Sequence, residues 1–475
     1  MAAAAVIEEG DGARPGRADS LFPGQGYQAT RQDTRGTQMS PQDLLEKVRR
    51  GDYTLGVIGL GRVGLPLALA FAVRGIHVIG VDVDERHVAR VGEGVMPFKE
   101  DGGQEALQQA LVSGRLEVGA DYAALERADA IFITVGTTLD NQFRPDYSAL
   151  RSALAGLGEV LRPVQLIMLR STVAPGTLTK LVAPWLERTL HLKVGRDVLL
   201  ASTPERIAAG RALQELPQLP EVVGGMDELS SQVAAEVLRT LNPQKRVFIT
   251  SPTGAELAKL FTNVYRYVTF ALANEFALLC EVHGEDAHEI IRISNQDYPR
   301  GGIPMPGPCG GPCLAKDGYF LVEDITFPDF ILTAWKLNES IPAYVVRRLK
   351  HKLQERRQGL RSARVAVLGM GFKADIDDVR QSPAVRLAEL LRAEGAEVVV
   401  TDPYHETPDL PAALRDADAV VLATNHSAYR SMEFLDILQD RQPRPILVDC
   451  WGVWDEAVAR ERGFDIIVFG KGDGR

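Results

Sequence analysis

A chain of 475 residues with 45% hydrophobic and 24% charged content has room for about three domains of ordinary soluble type. Its net charge of -10 argues against nucleic acid or an anionic membrane as principal partner, while an anionic small molecule is still allowed. Four cysteines build no disulfide framework, which fits a reducing cytoplasm, and no apolar run reaches the roughly 18 residues of a membrane span.

Residues 1–39 are rich in Ala, Gly, Arg and Asp without periodicity and read as a disordered tail with no apolar core of a signal peptide. Ser40-Pro41-Gln42-Asp43 has the cap, proline and acid of a helix start. A strand over 54–59 then runs into Gly59-Leu60-Gly61-Arg62-Val63-Gly64, and a helix follows to Ala72. The next strand, 77–81, ends on Asp82. Glycines between strand and helix let backbone approach a pyrophosphate, and an acid one strand later suits ribose hydroxyls. That acid repels a 2′-phosphate, so NAD is expected rather than NADP.

Further strands are expected at 130–135, 166–169, 198–201 and 247–249, with helices between them, which predicts a parallel doubly wound sheet. Segments following these strand ends carry Thr137, Thr172, and Glu205 with Arg206, on the edge where ligands bind. Taken alone, each reads first as a turn or a helix cap. Thr253 reads as the cap of a long helix over 254–282 on which Lys259 and Asn263, spaced i, i+4, share a face. That helix is apolar around much of its circumference, which suggests burial between domains or subunits and a homodimer. A second helix, 287–294, leads into a Pro/Gly-rich loop over 299–317 that contains Cys309 and Cys313. Lys316 and Asp317 lie one turn beyond Cys313, and a cation there favours a reactive thiolate. A helix over 330–355 is expected to break near Asn338-Glu339-Ser340-Ile341-Pro342.

From Ser362 the strand–helix pattern restarts, with strands at 365–368, 398–401, 419–423, 446–449 and 466–469. The glycine turn here, Gly369-Met370-Gly371-Phe372-Lys373, lacks the third glycine and is not expected to hold a dinucleotide. The expected fold is therefore α/β, with two Rossmann-like doubly wound parallel-sheet domains joined by a long central helix and a helical middle region. The expected boundaries are 40–250, 251–358 and 359–475, with the nucleophile loop in the middle part.

These motifs together resemble the nucleotide-sugar 6-dehydrogenases, the UDP-glucose, GDP-mannose and UDP-N-acetylhexosamine dehydrogenases. The resemblance runs from about Leu45 to the C-terminus and rests on motif order: Gly59 to Pro66, Ser171-Thr172-Val173, Pro204-Glu205, Glu256-Leu257-Ala258-Lys259 with Asn263, Gly310-Gly311-Pro312-Cys313-Leu314-Ala315-Lys316-Asp317, and Phe372-Lys373 with Asp377 to Pro383. It implies a covalent nucleophile at Cys313, with Lys259 and Asn263 holding the C6 oxygen. Asp317 would act in water activation and Glu205 in thioester hydrolysis. It further implies NAD contacts at Gly59, Gly61, Arg62, Val63, Gly64, Asp82, Thr137 and Thr172. A nucleotide sugar would meet Arg206, Lys316, Phe372, Lys373 and Arg380, and no metal is implied. Departures are Cys309, Pro312 before the nucleophile, and Asp449-Cys450-Trp451-Gly452 in the last domain. The stretches 204–225 and 313–321 look like members acting on UDP-N-acetylmannosamine. UDP-glucose and GDP-mannose stay open, as does a two-electron hydroxy-acid dehydrogenase, which needs no such thiol. A non-catalytic NAD-binding protein would not need Cys313, Lys259 and Asp317 together.

Overall fold

Two mostly parallel sheets hold all the described strands except a short antiparallel pair, Thr138–Leu139 with Pro145–Asp146, and one long helix runs between them. The computed structural model describes residues 39–322 and 325–472; the tail expected at 1–39 lies almost wholly outside them. The first sheet comprises β1 (Thr54–Ile58), β2 (His77–Val81), β3 (Leu116–Gly119), β4 (Ala130–Ile133), β5 (Gln165–Leu169), β6 (Val198–Ser202), β7 (Glu221–Gly225) and β8 (Val247–Ile249). Their order is β3-β2-β1-β4-β5-β6-β7-β8. Ile58 of β1 pairs with Val81 on one side and with Ile133 on the other. The ends of three strands are thus level at the point where strand order reverses, which is where an open α/β sheet binds ligands.

The second sheet comprises β9 (Arg364–Leu368), β10 (Glu397–Thr401), β11 (Ala419–Leu422), β12 (Ile446–Asp449) and β13 (Ile466–Val468), in the order β10-β9-β11-β12-β13. Apolar clusters fill both faces of each sheet, as a doubly wound parallel sheet requires.

Sequence reading missed the short antiparallel pair and two strands of the first sheet. The edge strand β3 is only partly buried, and β7 begins on a buried acid, Glu221. The sheet is also not wholly parallel, because β7 runs antiparallel to β6. The connection between them carries only a one-turn helix, Ala212–Glu215, too short for a full crossover.

Among the helices, α1 (Pro41–Arg49) has the expected capping box of Ser40 and Asp43, and α2 (Gly64–Ala72) follows the first glycine turn. The central helix α3 (Pro252–His283) is 32 residues long and is capped by Ser251, not Thr253. The Ser251 hydroxyl accepts the Gly254 N–H at 3.0 Å, and Pro252 takes the first helical position, where a missing N–H costs nothing. After α4 (Ala287–Asn295) and the single turn α5 (Leu314–Asp317) comes α6 (Asp329–Glu355), which runs unbroken through Pro342. An interior proline costs about 3 kcal/mol. Packing offsets this, because Ile341, Pro342, Val345 and Val346 are buried and the Asn338 side chain bonds Tyr267 O and Asn274 on α3. Helix α7 (Pro383–Ala393) follows β9. Among the described residues no helix is long and apolar enough to cross a membrane.

Candidate active site

The loop carrying Cys313 is held from two sides. Asn274 of α3 accepts the Gly307 N–H at 2.9 Å and donates to the Gly307 carbonyl at 3.2 Å, inside the protein. On the other side, Gly311 donates its N–H to the Gln381 carbonyl at 2.9 Å. A Cβ on Gly310 would lie 2.6 Å from that carbonyl, and one on Gly311 would lie 2.6 Å from the Phe372 ring. Those two glycines are what let the thiol loop dock on the second sheet's Phe372–Pro383 motif. Trp451 packs on Gly307 and donates its Nε1–H to Ala423 O, so the unusual 449–452 segment supports the same loop.

Cys313 caps the turn α5, and the N–H groups of Lys316 and Asp317 return to its carbonyl. Buried Asp317 accepts from Lys316 Nζ at 2.8 Å and from Asn263 Nδ2 at 2.6 Å. The α3 motif and the nucleophile loop, 54 residues apart, therefore meet at one carboxylate. Cys313 is exposed as a residue, yet surrounding protein desolvates its thiol. That desolvation and the Asp317 charge push its thiol up, and Lys259, Lys316 and Arg380 only partly pull it back. The expectation that nearby cations make a resting thiolate is therefore corrected: the acid and the burial outweigh them. Burial pushes the Cys309 thiol up to about 12, which leaves it inert at neutral pH.

Lys259 and Asn263 are buried on one face of α3 and line a cavity of about 150 Å³ with Arg206, Ile207, Leu219 and Arg266. Beside it, Glu205 is buried and fixed at both oxygens. Its Oε1 accepts the N–H groups of Arg206 and Ile207 at 2.6 and 2.8 Å, and its Oε2 accepts Arg170 Nε at 2.7 Å. Burial alone would raise its pKa, but Arg170 and the two N–H groups hold it below the usual carboxylate range. Sequence reading missed Arg170, although it directly precedes the Ser171-Thr172 motif. It also gave no role to Glu256, whose carboxylate accepts Gly176 N and Leu178 N and ties that motif's loop to α3.

Arg380 forks onto Asp378 at 2.9 and 2.7 Å, and Lys373 reaches across to Ala209 O at 2.8 Å. Arg62, expected at the cofactor, turns its side chain to Asp377 at 2.6 Å and Asp378 at 3.6 Å. It ties the first glycine turn to the segment that follows β9 of the second sheet.

Three features at the first glycine turn fit a dinucleotide. Gly59 has φ +90°, and a Cβ on Gly64 would lie 1.8 Å from Gly59 O. A Cβ on Gly61 would meet only open space, which leaves backbone free to approach a phosphate. The Thr137 hydroxyl is buried on this edge without a partner, as a group awaiting a ligand would be. Thr172 sits half-buried on the same edge. Asp82 accepts the Leu60 and Asp84 N–H groups, which fixes its carboxylate at the strand tip. The second sheet repeats this geometry with Asp402, which accepts the Met370 and Tyr404 N–H groups. There, however, buried His426 lies 3.2 Å from Asp402 and fills the space. Among the described residues no group of three or more His, Cys, Asp or Glu could hold a metal ion.

Comparison with known proteins agrees with this geometry. Three models of the UDP-glucose/GDP-mannose dehydrogenase family match in order: the NAD binding domain over 53–242, the central domain over 253–340 and the UDP binding domain over 366–456. The UDP-N-acetyl-D-mannosamine dehydrogenase of Pyrococcus horikoshii is 34% identical over 426 residues, which covers 88% of this chain and 99% of that protein. The solved structure of that organism's UDP-D-ManNAc dehydrogenase superposes with a TM-score of 0.83 at 33% identity, covering 88% of this chain and all of that one. A UDP-glucose dehydrogenase from Pyrobaculum islandicum superposes with a TM-score of 0.76 at 30% identity, covering 84% of this chain and 94% of that one.

Proposed function

This chain belongs to the UDP-glucose/GDP-mannose dehydrogenase family and is an NAD-dependent nucleotide-sugar dehydrogenase; from that premise we propose that it oxidises the C6 hydroxymethyl of a UDP-N-acetylhexosamine, UDP-N-acetylmannosamine foremost, to the uronate through a covalent adduct on Cys313. The observation that supports this reading is that Asn263 bonds Asp317, while the charges of Asp317 and Lys259 both act on the Cys313 thiol.

Lys259 and Asn263 bind the C6 oxygen and steady the alkoxide that forms as its proton leaves. NAD, when bound, takes the hydride from C6 at each oxidation. Cys313 adds its sulfur to the resulting aldehyde carbon, so the aldehyde never escapes. Loss of a second hydride, which a second bound NAD would accept, would turn the thiohemiacetal on Cys313 into a thioester. Water then cleaves the C–S bond, with Asp317 and ionised Glu205 orienting it, and the thiol and uronate are released. One sugar and one water thus reduce two NAD and release three protons. In this scheme 40–250 binds NAD, 251–358 supplies the catalytic helix and thiol loop, and 359–475 binds the UDP-sugar through Phe372, Lys373 and Arg380. Arg206 and Lys316 complete the sugar pocket. Asp82 binds the ribose hydroxyls and excludes a 2′-phosphate.

A screen of nucleotide sugars with NAD and NADP tests this. Expected is a kcat/KM highest for a UDP-N-acetylhexosamine, little use of NADP, and about two NADH per sugar consumed. Highest kcat/KM for UDP-glucose or GDP-mannose would overturn the substrate assignment. One NADH with free aldehyde as product would overturn the mechanism.

The outer face of α3 supports a homodimer. Phe261, Tyr265, Leu272, Leu279 and Val282 are exposed along it, next to exposed Ile290 and Ile293 of α4. Sedimentation should give twice the chain mass, and Tyr265→Glu should shift it towards one chain. A monomer for the unmodified protein at micromolar concentration would exclude this assignment.

A further inference from the structure

We propose that Arg170 is a positioning residue of this reaction: with Glu221 and Lys245 around it, it locks the Glu205 carboxylate, and with it the 204–207 turn, against the pocket that Lys259 lines. The inference rests on the role proposed above for Glu205. The Arg170 guanidinium is almost completely buried, and its N–H groups divide between two acids. It meets Glu205 at 2.7 Å on one edge and holds Glu221 in a fork at 3.0 and 3.1 Å on the other. A further N–H reaches Thr203 O at 3.1 Å, in the segment that leads to Glu205. Lys245 lies 3.4 Å from Glu221 and donates to the carbonyl of Leu219, which lines the same pocket.

Two acids and two cations thus sum to zero charge inside the protein. Burying four charges is rarely the most stable way to fill a core, since apolar residues of similar volume often do as well or better. What the quartet provides that apolar packing would not is a fixed direction. Glu221 occupies one edge of the fork, so Arg170 cannot swing away from Glu205. The carboxylate in turn is held at both oxygens and can only present its remaining lone pair to a water. Its charge is fixed as well. Besides the quartet, the charged groups near this turn include Arg206 on the turn itself, Lys259 and Arg266 of α3, Glu215, which accepts the Ala208 N–H, and Lys373, which donates to Ala209 O. Of all these, Arg170 is the one whose side chain bonds the carboxylate of Glu205, Arg206 giving only its backbone N–H.

The test reads thioester hydrolysis by single turnover across pH in Arg170→Gln, Arg170→Lys and Glu221→Gln, with NAD binding and thermal unfolding measured alongside. Glu205 free of Arg170 would bind its proton more tightly, so as pH falls hydrolysis would be lost sooner than in the unmodified protein. In Arg170→Gln the acid limb should therefore rise by about one to three pH units. Glu221→Gln leaves Arg170 wholly to Glu205, so its limb should stay or fall. Arg170→Lys keeps the charge without the fork and should slow hydrolysis about tenfold or more, with both hydride transfers close to unmodified rates. Unmoved limbs, with oxidation and hydrolysis lost in proportion to stability, would mean a purely structural role and overturn the proposal. If Arg170→Gln does not fold, Arg170→Lys decides: loss confined to hydrolysis supports the proposal, and equal loss in all steps overturns it. Unmodified hydrolysis in Glu205→Gln would instead overturn the reading of Glu205 itself.

Discussion

Cys313→Ala should cut uronate formation by roughly a thousandfold or more while NAD binding is retained. Without a sulfur the aldehyde has nothing to hold it, and the second oxidation loses its tetrahedral donor. Cys313→Ser should stall too, because a hydroxyl beside Asp317 has no comparable nucleophilicity. The thiol's own titration gives a second handle. Burial and Asp317 push it up, so alkylation by iodoacetamide should be slow at neutral pH and accelerate towards alkaline pH. Asp317→Asn removes the charge that opposes the thiolate and should speed alkylation at neutral pH, whereas Lys316→Ala removes a helping cation and should slow it. Uronate made at the unmodified rate by Cys313→Ala would end the covalent mechanism. Equal alkylation rates in all three proteins would end the electrostatic account of the thiol.

Much of this site was legible because its parts are local in sequence. A glycine turn between strand and helix and a thiol followed by Lys316-Asp317 each carry a physical requirement within a few residues. The fold was legible for the same reason: short apolar runs alternate with helical periods, and the strands so identified fall within the two sheets. Where the reading failed, non-local packing had overridden local preference. Pro342 predicts a break, but the buried neighbours of α6 and the Asn338 bonds carry the helix through. Glu221 hid β7, since an acid inside a buried strand makes sense only beside Arg170, 51 residues away. No periodicity encodes that partner. The state of Cys313 was illegible for a related reason. The adjacent cation can be read from the sequence, but the desolvation that outweighs it belongs to the docked loop.

The same distinction bears on Lys259, which sequence reading could only weigh against an ordinary lysine covering apolar surface. Its residue is 8% exposed, and among the described residues no hydrogen bond or ion pair is made by its ammonium. A buried charge is normally paired, and this ammonium is left open to a cavity of about 150 Å³. In the mechanism proposed above the C6 alkoxide is its partner, and that charge exists fully only as the hydride departs. Lys259→Ala should therefore lower kcat by about a hundred- to a thousandfold, with a smaller change in KM, because the interaction strengthens towards the transition state. Lys259→Arg should recover little, since a planar guanidinium of greater reach cannot take the ammonium's place among Arg206, Leu219 and Arg266. Small primary amines added to Lys259→Ala should restore part of the first hydride transfer, increasingly so for amines that fit the cavity. An unchanged kcat in Lys259→Ala, with the loss confined to KM, would show that Lys259 only binds the sugar and would move alkoxide stabilisation to Asn263.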